Sequence, residues 1–327
     1  MSLQRKLSHF REIFVPNFLF LLGWGPKRLE DIWPDRGQSC LRPVPLVLPP
    51  HYDYDLQVVV PVYNASRYLR ECLDSLMAQK LSYRICVVCI DDGSSDDSGK
   101  ILVDYSERYS DFYILSQENQ GPSMARNRAI SLMLAPRLFF LDSDDLLAPG
   151  ALQALMDQSI RTGADFTEGG ICKFDDRGRR ANPKTHSLSD NSHELLGFAC
   201  NKIIRLEVFR EVQFPIGYLF EDTVYSMLLF WRFPHHATVE GITYWYRVNT
   251  TGSLSTTRHL RLVDCYWVTC RIFEDYLHSG GALTDEYREN LKKELSNVIH
   301  TVTPLHRWDL NALLRPLVLA FLQKYCS

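Results

Sequence analysis

The chain has no surplus of positive charge, no apolar run long enough to cross a bilayer, and no tract rich in glycine or cysteine. Its 36 Lys and Arg stand against 39 Asp and Glu, for a net charge of −3. No global field therefore draws it to nucleic acid, and nucleic-acid binding is excluded as its main task. Only 17 Gly and 16 Pro in 327 residues exclude a collagenous or low-complexity chain, and 12% aromatic content argues against intrinsic disorder. The nine cysteines are odd in number and scattered, unlike the dense, even set of a small disulfide scaffold. Cys86 and Cys89 have C-x-x-C spacing, but they fall in an apolar run that reads as a buried strand, where positions i and i+3 face opposite ways. No second C-x-x-C or H-x-x-x-H completes a zinc site. Buried free thiols point to a reducing cytoplasm. Neither G-x-G-x-x-G nor G-x-x-x-x-G-K-[ST] occurs, so the dinucleotide fingerprint and the Walker loop are both missing.

What is present is 46% hydrophobic and 23% charged, the composition of a soluble globular protein with one large domain or two smaller ones. Residues 1–50 form a basic and apolar extension. Arg5, Lys6, Arg11, Lys27, Arg28, Arg36 and Arg42 face only Glu12, Glu30, Asp31 and Asp35. The run Phe18 to Trp24 falls well short of the roughly 20 apolar residues of a membrane span, and Pro16 interrupts its approach. Two readings stay open: an interfacial anchor through residues 3–24, giving peripheral membrane contact, or an arm packing on the body. Pro43, Pro45, Pro49 and Pro50 make 41–50 a stiff extended linker.

From Leu56 the hydrophobic period alternates. Leu56–Val62 is short, β-branched and nearly continuous, as in a strand buried on both faces of a parallel sheet. A helix over 67–79, capped by Ser66, follows, then strand Arg84–Ile90, a helix capped by Ser94 or Ser95 and running to Arg108, strand Phe112–Leu115, a helix after Gly121-Pro122, strand Leu138–Leu141, and a helix from Pro149 to Arg161. Four strand–helix units imply right-handed crossovers, a mostly parallel sheet, and chemistry at the carboxyl ends of the strands. The polar clusters fall there: Tyr63-Asn64, Asp91-Asp92-Gly93-Ser94, Glu118-Asn119-Gln120-Gly121 and Asp142-Ser143-Asp144-Asp145. Five aspartates at two strand ends exceed what helix capping needs, and clustered carboxylates call for a compensating cation. Mg²⁺ or Mn²⁺, taking one or two carboxylates together with substrate phosphates, is the economical solution. Such a site beside a nucleotide pocket points to a nucleotide-sugar enzyme.

Val60-Pro61-Val62-Tyr63-Asn64, Asp91-Asp92-Gly93-Ser94-Ser95-Asp96, Asn119-Gln120-Gly121-Pro122-Ser123-Met124-Ala125-Arg126-Asn127 and Asp142-Ser143-Asp144-Asp145 together resemble the family 2 glycosyltransferases of the GT-A fold. Downstream, Asn201-Lys202-Ile203-Ile204-Arg205 and Phe220-Glu221-Asp222 are similar to further family segments. Tyr246-Arg247 with Gly252-Ser253-Leu254-Ser255 resembles an element of capsule and O-antigen enzymes. The resemblance implies an α/β GT-A fold, Rossmann-like, with a mostly parallel central sheet flanked by helices, over residues 51–255, and a C-terminal helical region over 256–327. It implies that Pro61 and Tyr63 line the base and ribose pocket and that Asp92, or else Asp91, accepts a hydrogen bond from the uracil imide. Asn119 joins these donor-site residues. Arg126 and Asn127 would lie near the diphosphate or donor sugar. Asp142, with Ser143, would face ribose and sugar, Asp144 with Asp142 would bind the metal, and Arg247 would face the phosphates. Asp222 would be the general base, with Glu221 contacting the acceptor or orienting that base. Ser66 stands where the family often has Glu, which puts one ribose contact in doubt, and Ala129 stands where Gly is usual.

The implied reaction is metal-dependent, inverting transfer from a UDP-sugar to a hydroxyl of a growing glycan or a lipid-linked acceptor in surface polysaccharide synthesis. A sugar nucleotidyltransferase is one rival; a degenerate transferase serving as a carbohydrate-binding scaffold is another. Asp96 and Asp97 read as solvated helix-start residues, Asp145 as the cap of the next turn, and Lys202 equally well as a surface lysine. Residues 175–193 read as a mobile polar loop. His193, His235, His236 and His259 read as structural. The apolar stripes at Leu262–Leu277, Tyr287–Val298 and Leu313–Leu322 read as helices that cover the sheet, with a lipid-linked acceptor or a homodimer contact as the alternative.

Overall fold

β1 (Leu56–Val62) lies at the centre of the sheet because it is apolar on both faces; only Pro61 is less than buried. In the computed structural model, which describes residues 29–178, 180–192, 195–248, 260–302 and 308–326, a short helix α1 (Leu29–Ile32) precedes it. Then follow α2 (Leu69–Met77), β2 (Ile85–Asp91), α3 (Ser98–Arg108), β3 (Phe112–Ser116), α4 (Pro122–Ile130) and β4 (Arg137–Phe140). β2 and β4 flank β1 in parallel, and β3 extends the parallel array beyond β2. These are the strand–helix units read from the sequence, with β1 unchanged and the other ends shifted by at most a few residues.

The helix starts differ from expectation. Neither Ser66, Ser94 nor Ser95 is a cap: α2 starts behind Tyr68 and α3 behind Asp97, with no side-chain cap on either. Asp96 does related work from outside the helix. Its carboxylate accepts the main-chain N–H of Ser66 and of Ser98, both at 2.9–3.0 Å, and so joins the loop after β1 to the start of α3. Burial opposes ionisation of Asp96, yet these hydrogen bonds hold its pKa down to about 2. It is exposed at the helix start, as expected, and serves in addition as a structural tie. Asp97, exposed beside Lys100, fits its expected role.

Beyond β4 the sheet becomes mixed. β5 (Leu146–Leu147), α5 (Ala151–Thr162), β6 (Phe166–Phe174), β7 (Arg180–Lys184), β8 (Lys202–Arg205) and β9 (His236–Arg247) complete the order β3-β2-β1-β4-β8-β6-β9-β5, with β7 on β6. β8 is antiparallel to both β4 and β6, whereas β9 runs parallel to β6. The stretch read as a mobile loop from residue 175 thus contains β7, paired antiparallel with β6. At Gly169 an added Cβ would lie 2.1 Å from the Thr243 hydroxyl oxygen, so the close approach of β6 to β9 excludes any side chain there.

Two apolar cores lie on the two faces of the sheet. α2, α3 and α5 contribute to one. The other is shared by α4 and the C-terminal helices α6 (Asp264–His278), α7 (Asp285–Val302) and α8 (Trp308–Cys326). Tyr287, Leu291, Leu295 and Val298 are all at most 2% exposed, and burying each such side chain contributes about 1.5–3 kcal/mol. The first two C-terminal stripes therefore pack into the core on this face, whereas the third is divided, with Leu314 buried and Leu317 and Leu319 exposed. No described helix is long and apolar enough to cross a membrane.

The described part of the N-terminal segment is fastened to these helices. The Trp33 indole N–H donates to Asp264 at 2.6 Å. The Ser39 hydroxyl and Cys40 N–H donate to Asp275, and Asp35 pairs with Arg271. Residues 3–24, read as a candidate membrane contact, lie outside the described residues.

Candidate active site

β2 ends at Asp91, and Asp92 leads into Gly93 with φ of +78°, a left-handed turn that an ordinary side chain strains. A Cβ there would also approach the Asn119 nitrogen to 3.0 Å. The turn directs the Asp92 carboxylate at the loop after β3, where it accepts hydrogen bonds from the Gln117 amide (2.7 Å) and from the N–H groups of Gln120 and Gly121 (both 2.8 Å). Asp91 instead accepts from the N–H of Ser94. Pro61 is half-buried, Tyr63 is 52% exposed at the end of β1, and Asn119 is exposed. An apolar and aromatic wall thus meets a fixed carboxylate at the parallel strand ends.

Gly121 also opens α4, so Asp92 anchors the helix that carries Arg126. The guanidinium is 5% exposed. One terminal nitrogen donates to Glu221 at 2.5 Å and the other to Asp142 at 3.0 Å, while its Nε has no partner. Burial disfavours the charge, but Asp142, Glu221 and Asp222 more than restore it and raise the pKa. One cation therefore joins the acid after β4 to the acids after Phe220. Phe220 adopts φ of +66°, an uncommon conformation for a bulky residue that recurs at functional sites. A π-helical turn, Tyr225–Leu229, follows.

Asp222 sits inside this network with one carboxylate oxygen buried and without a partner. Burial first, then Glu221, pushes its pKa up; Arg126 and Lys202 pull it down, Asp142 adds to the rise, and it lies at about 7. Glu221 and Asp222 are thus not the plain surface acids their sequence alone allows.

Other expectations are placed differently. The Asn127 amide is taken up by the main chain of Phe214, donating to its carbonyl and accepting from its N–H at 2.9 and 2.8 Å. Asp145 does not cap a turn: it is 1% exposed and accepts the N–H of Arg247 at 2.7 Å. Burial, with Asp144 and Asp142 nearby, raises its pKa well above the carboxylate range. Lys202 is no surface lysine; it is fully buried against an equally buried Glu168 at 2.9 Å. Arg247 points at Glu71, Asp176 and the Asp144 carbonyl. Ser143 and Asp144 are half-buried. His236 bonds the Phe233 carbonyl. His193, His259 and Gly252-Ser253-Leu254-Ser255 lie outside the described residues.

Among the described residues no three acidic, imidazole or thiol groups converge closely enough to hold an ion by themselves. The donor set nevertheless fits a hard divalent cation shared with a ligand. Asp142 and Asp144 supply oxygen donors, and only one Asp142 oxygen is engaged by Arg126; phosphate oxygens would complete the shell. A cavity of about 510 Å³ lined by Glu71, Asp74, Leu147, Phe174, Arg180 and Trp245 lies beside these carboxylates rather than over them, and the strand-end geometry is the stronger guide to the chemistry.

The profile described as Glycosyl transferase family 2 matches residues 57–223, half of the chain, and spans the ends of β1 to β4 described above. The chain belongs to glycosyl transferase family 2. Its relatives include Glycosyltransferase GlyA of Streptococcus pneumoniae, 30% identical over 62% of this chain and 32% of its own length. The poly(ribitol-phosphate) beta-glucosyltransferase of Bacillus spizizenii is 28% identical over 60% of this chain and 33% of its own. The chain thus spans about a third of the length of these relatives. Among solved structures, S. aureus TarS 1–349 in complex with UDP-GlcNAc aligns with a TM-score of 0.54 at 17% identity, covering 80% of this chain and 89% of that one. The mannosyltransferase PcManGT from Pyrobaculum calidifontis, in complex with GDP-Man and Mn²⁺, aligns at 0.50 and 14%, covering 98% and 97%. These likenesses establish the fold that the family 2 resemblance implied.

Sequence reading of this family 2 chain missed Glu168, Glu71, Asp176 and Asp145 as partners of the site. Glu168 carried no signal, because nothing local in Phe166–Phe174 announces a lysine buried across from it. Asp145 did carry one: it extends Asp142-Ser143-Asp144 by a further acid.

Proposed function

We propose that this protein transfers a sugar from a nucleotide diphosphate, UDP-linked, to a hydroxyl group of a glycan or lipid-linked glycan acceptor, with inversion at the anomeric carbon. The observation that carries this reading is Asp222, a half-buried carboxyl poised near pH 7 and joined through Glu221 and Arg126 to Asp142. A base with a pKa near the working pH suits removal of a proton from an attacking hydroxyl, a role worth about 10²–10⁴-fold.

Asp92 and Tyr63 would hold the base and ribose at the β1 and β2 ends. Arg126 stabilises the close approach of Asp142 and Glu221, and its positive charge opposes the negative charge developing on the departing diphosphate. Asn127 keeps α4 seated through Phe214. Asp142 and Asp144 would hold Mg²⁺ or Mn²⁺, which supplies Lewis-acid stabilisation of the leaving phosphate when bound. A UDP donor is supported by the TarS complexes with UDP-GlcNAc and UDP, a divalent cation by Mn²⁺ in PcManGT, and a polymeric surface acceptor by the poly(ribitol-phosphate) and minor teichoic acid relatives. The nine thiols are all free, in keeping with action on the cytoplasmic side, where a lipid-linked acceptor would be reached at the membrane surface.

A thermal-shift screen of nucleotide sugars with Mn²⁺ tests the donor, since a ligand that binds the native state raises its apparent stability. A UDP-sugar should raise Tm in the presence of Mn²⁺. No shift with any nucleotide sugar defeats the donor assignment. Transfer in excess EDTA equal to that with Mn²⁺ defeats the metal.

A further inference from the structure

Arg247 ends β9 and is 5% exposed. Its guanidinium lies 4.4 Å from the Phe174 ring centroid and 4.5 Å from that of Tyr68, so aromatic rings wall it in. Each of its three nitrogens has a protein partner: Nε donates to the Asp144 carbonyl at 2.8 Å, one terminal nitrogen to Glu71 at 2.6 Å, and the other to Asp176 at 3.3 Å. The Arg247 N–H donates to Asp145 at 2.7 Å. Main chain and side chain of one residue thus grip two consecutive residues of the loop that follows β4. Asp176 also receives Arg67 at 2.7 Å and the Tyr68 hydroxyl at 3.1 Å, so the β6–β7 connection, the start of α2 and the Asp144 main chain meet at this arginine.

We propose that Arg247 is a positioning residue: it fixes the Asp144 main chain and the Asp145 carboxylate, and through them the aim of the Asp144 carboxylate, and does not itself bind the donor phosphates. Glu71 and Asp176 hold Arg247 in that role from two further elements. This deepens the proposed function and rests on it for Asp144 as the carboxylate that meets the divalent cation. A phosphate contact requires a guanidinium face or edge turned to the ligand. Here two aromatic rings pack against the guanidinium and the forked end is held by two carboxylates, one of which would have to be displaced. Partners that orient a metal-binding carboxylate typically alter metal affinity by about 10- to 100-fold when removed.

The experiment measures two bindings on R247K, R247M, E71Q and D176N: UDP alone in EDTA by calorimetry, and Mn²⁺ in the presence of saturating UDP by electron paramagnetic resonance. Positioning predicts that R247M and R247K weaken Mn²⁺ binding by about 10-fold or more, while metal-free UDP affinity stays within about twofold. R247K fails here because an ammonium lacks the planar fork that reaches three partners at once. E71Q and D176N should weaken Mn²⁺ binding in the same direction by a smaller factor. A phosphate-binding arginine predicts the reverse: R247M loses metal-free UDP affinity, R247K retains most of it, and removing either acid leaves it equal or better. That pattern overturns the proposal. If R247M does not fold, as circular dichroism would reveal, E71Q and D176N decide, and unchanged Mn²⁺ binding in both overturns it. Both measurements read binding without turnover. Failure of the proposed transfer reaction, seen as binding without any transfer in the wild type, therefore stays distinguishable from failure of the arginine assignment.

Discussion

A carboxyl group held near pH 7 is protonated when the solution is more acidic, and a protonated Asp222 cannot accept a proton from an acceptor hydroxyl. Transfer measured as kcat/KM should therefore fall about tenfold per pH unit below 7 and level off above it. D222N should lose at least about 10²-fold at every pH, and wild-type turnover in D222N removes Asp222 as the base. Stability responds with the opposite sign. The unfolded carboxyl ionises near pH 4, so between about pH 4 and 7 the native state holds the extra proton. Stability contributed by Asp222 is then full below about pH 4 and is lost as pH rises through about 7. D222N is accordingly expected to melt a few degrees above wild type at pH 8, with the gap closing toward pH 4. Lys202 shows the limit of reading residues from sequence. The motif Asn201-Lys202 marked the position, but its burial depends on Glu168 from a different strand, which also accepts the Leu196 N–H and pairs with His186. Removing one partner leaves a charge buried and uncompensated, so K202M should cost about 3–5 kcal/mol in urea unfolding. A loss under 1 kcal/mol would show that the pair matters little.

At the scale of elements, hydrophobic period was a sound guide where strands are buried on both faces and helices carry one apolar stripe. β1 to β4 and their helices were legible for that reason. Caps were not: Ser66, Ser94 and Ser95 have cap-forming side chains, yet Asp91, Asp96 and Asn64 from neighbouring loops take the main-chain donors instead. The mixed half of the sheet was not legible either. β6 and β9 contain Gly169, Gly170 and Gly241, and register irregularities around Gly170 break the alternation that marks a strand. Among site residues, Arg126 and Asp142 each lie in a motif that the sequence marked, but their ion pair was not legible there, and the Arg247 contacts depend on Glu71 and Asp176, which no local pattern connects. The β6–β9 approach is testable. G169A places a methyl group 2.1 Å from the Thr243 hydroxyl oxygen, and overpacking of this kind costs about 1–3 kcal/mol. The midpoint of urea unfolding should drop accordingly, and T243G in the same chain should recover part of the loss. An unchanged midpoint would show that β6 and β9 separate freely.

Across the whole molecule, the acids of the site depend on parts of the chain far from it. Asp264 opens α6 and accepts the Trp33 indole N–H on one oxygen and the Leu219 N–H on the other, at 2.6 and 3.0 Å. Leu219 stands one residue before the strained Phe220, which in turn aims Glu221 and Asp222. α7 supports the turn after them, with the Tyr287 hydroxyl donating to the Met227 carbonyl and the Asn290 amide to that of Ser226. The segment from Trp33 and the C-terminal helices thus act on the same loop, which is why the helices beyond the family 2 match are part of the proposed chemistry. D264A removes the acceptor for Leu219 and frees the loop, whereas W33F removes only the indole donor and leaves Leu219 held. Misplacement of a catalytic group by about 1 Å lowers rate by up to about 10²-fold. D264A should therefore lower kcat by about 10-fold or more while metal-free UDP affinity, set at the other end of α4, stays within twofold; W33F should change kcat less. If D264A and W33F lower kcat equally, the arm rather than the Leu219 contact holds the loop. If D264A keeps full kcat, the acids are positioned by Arg126 alone.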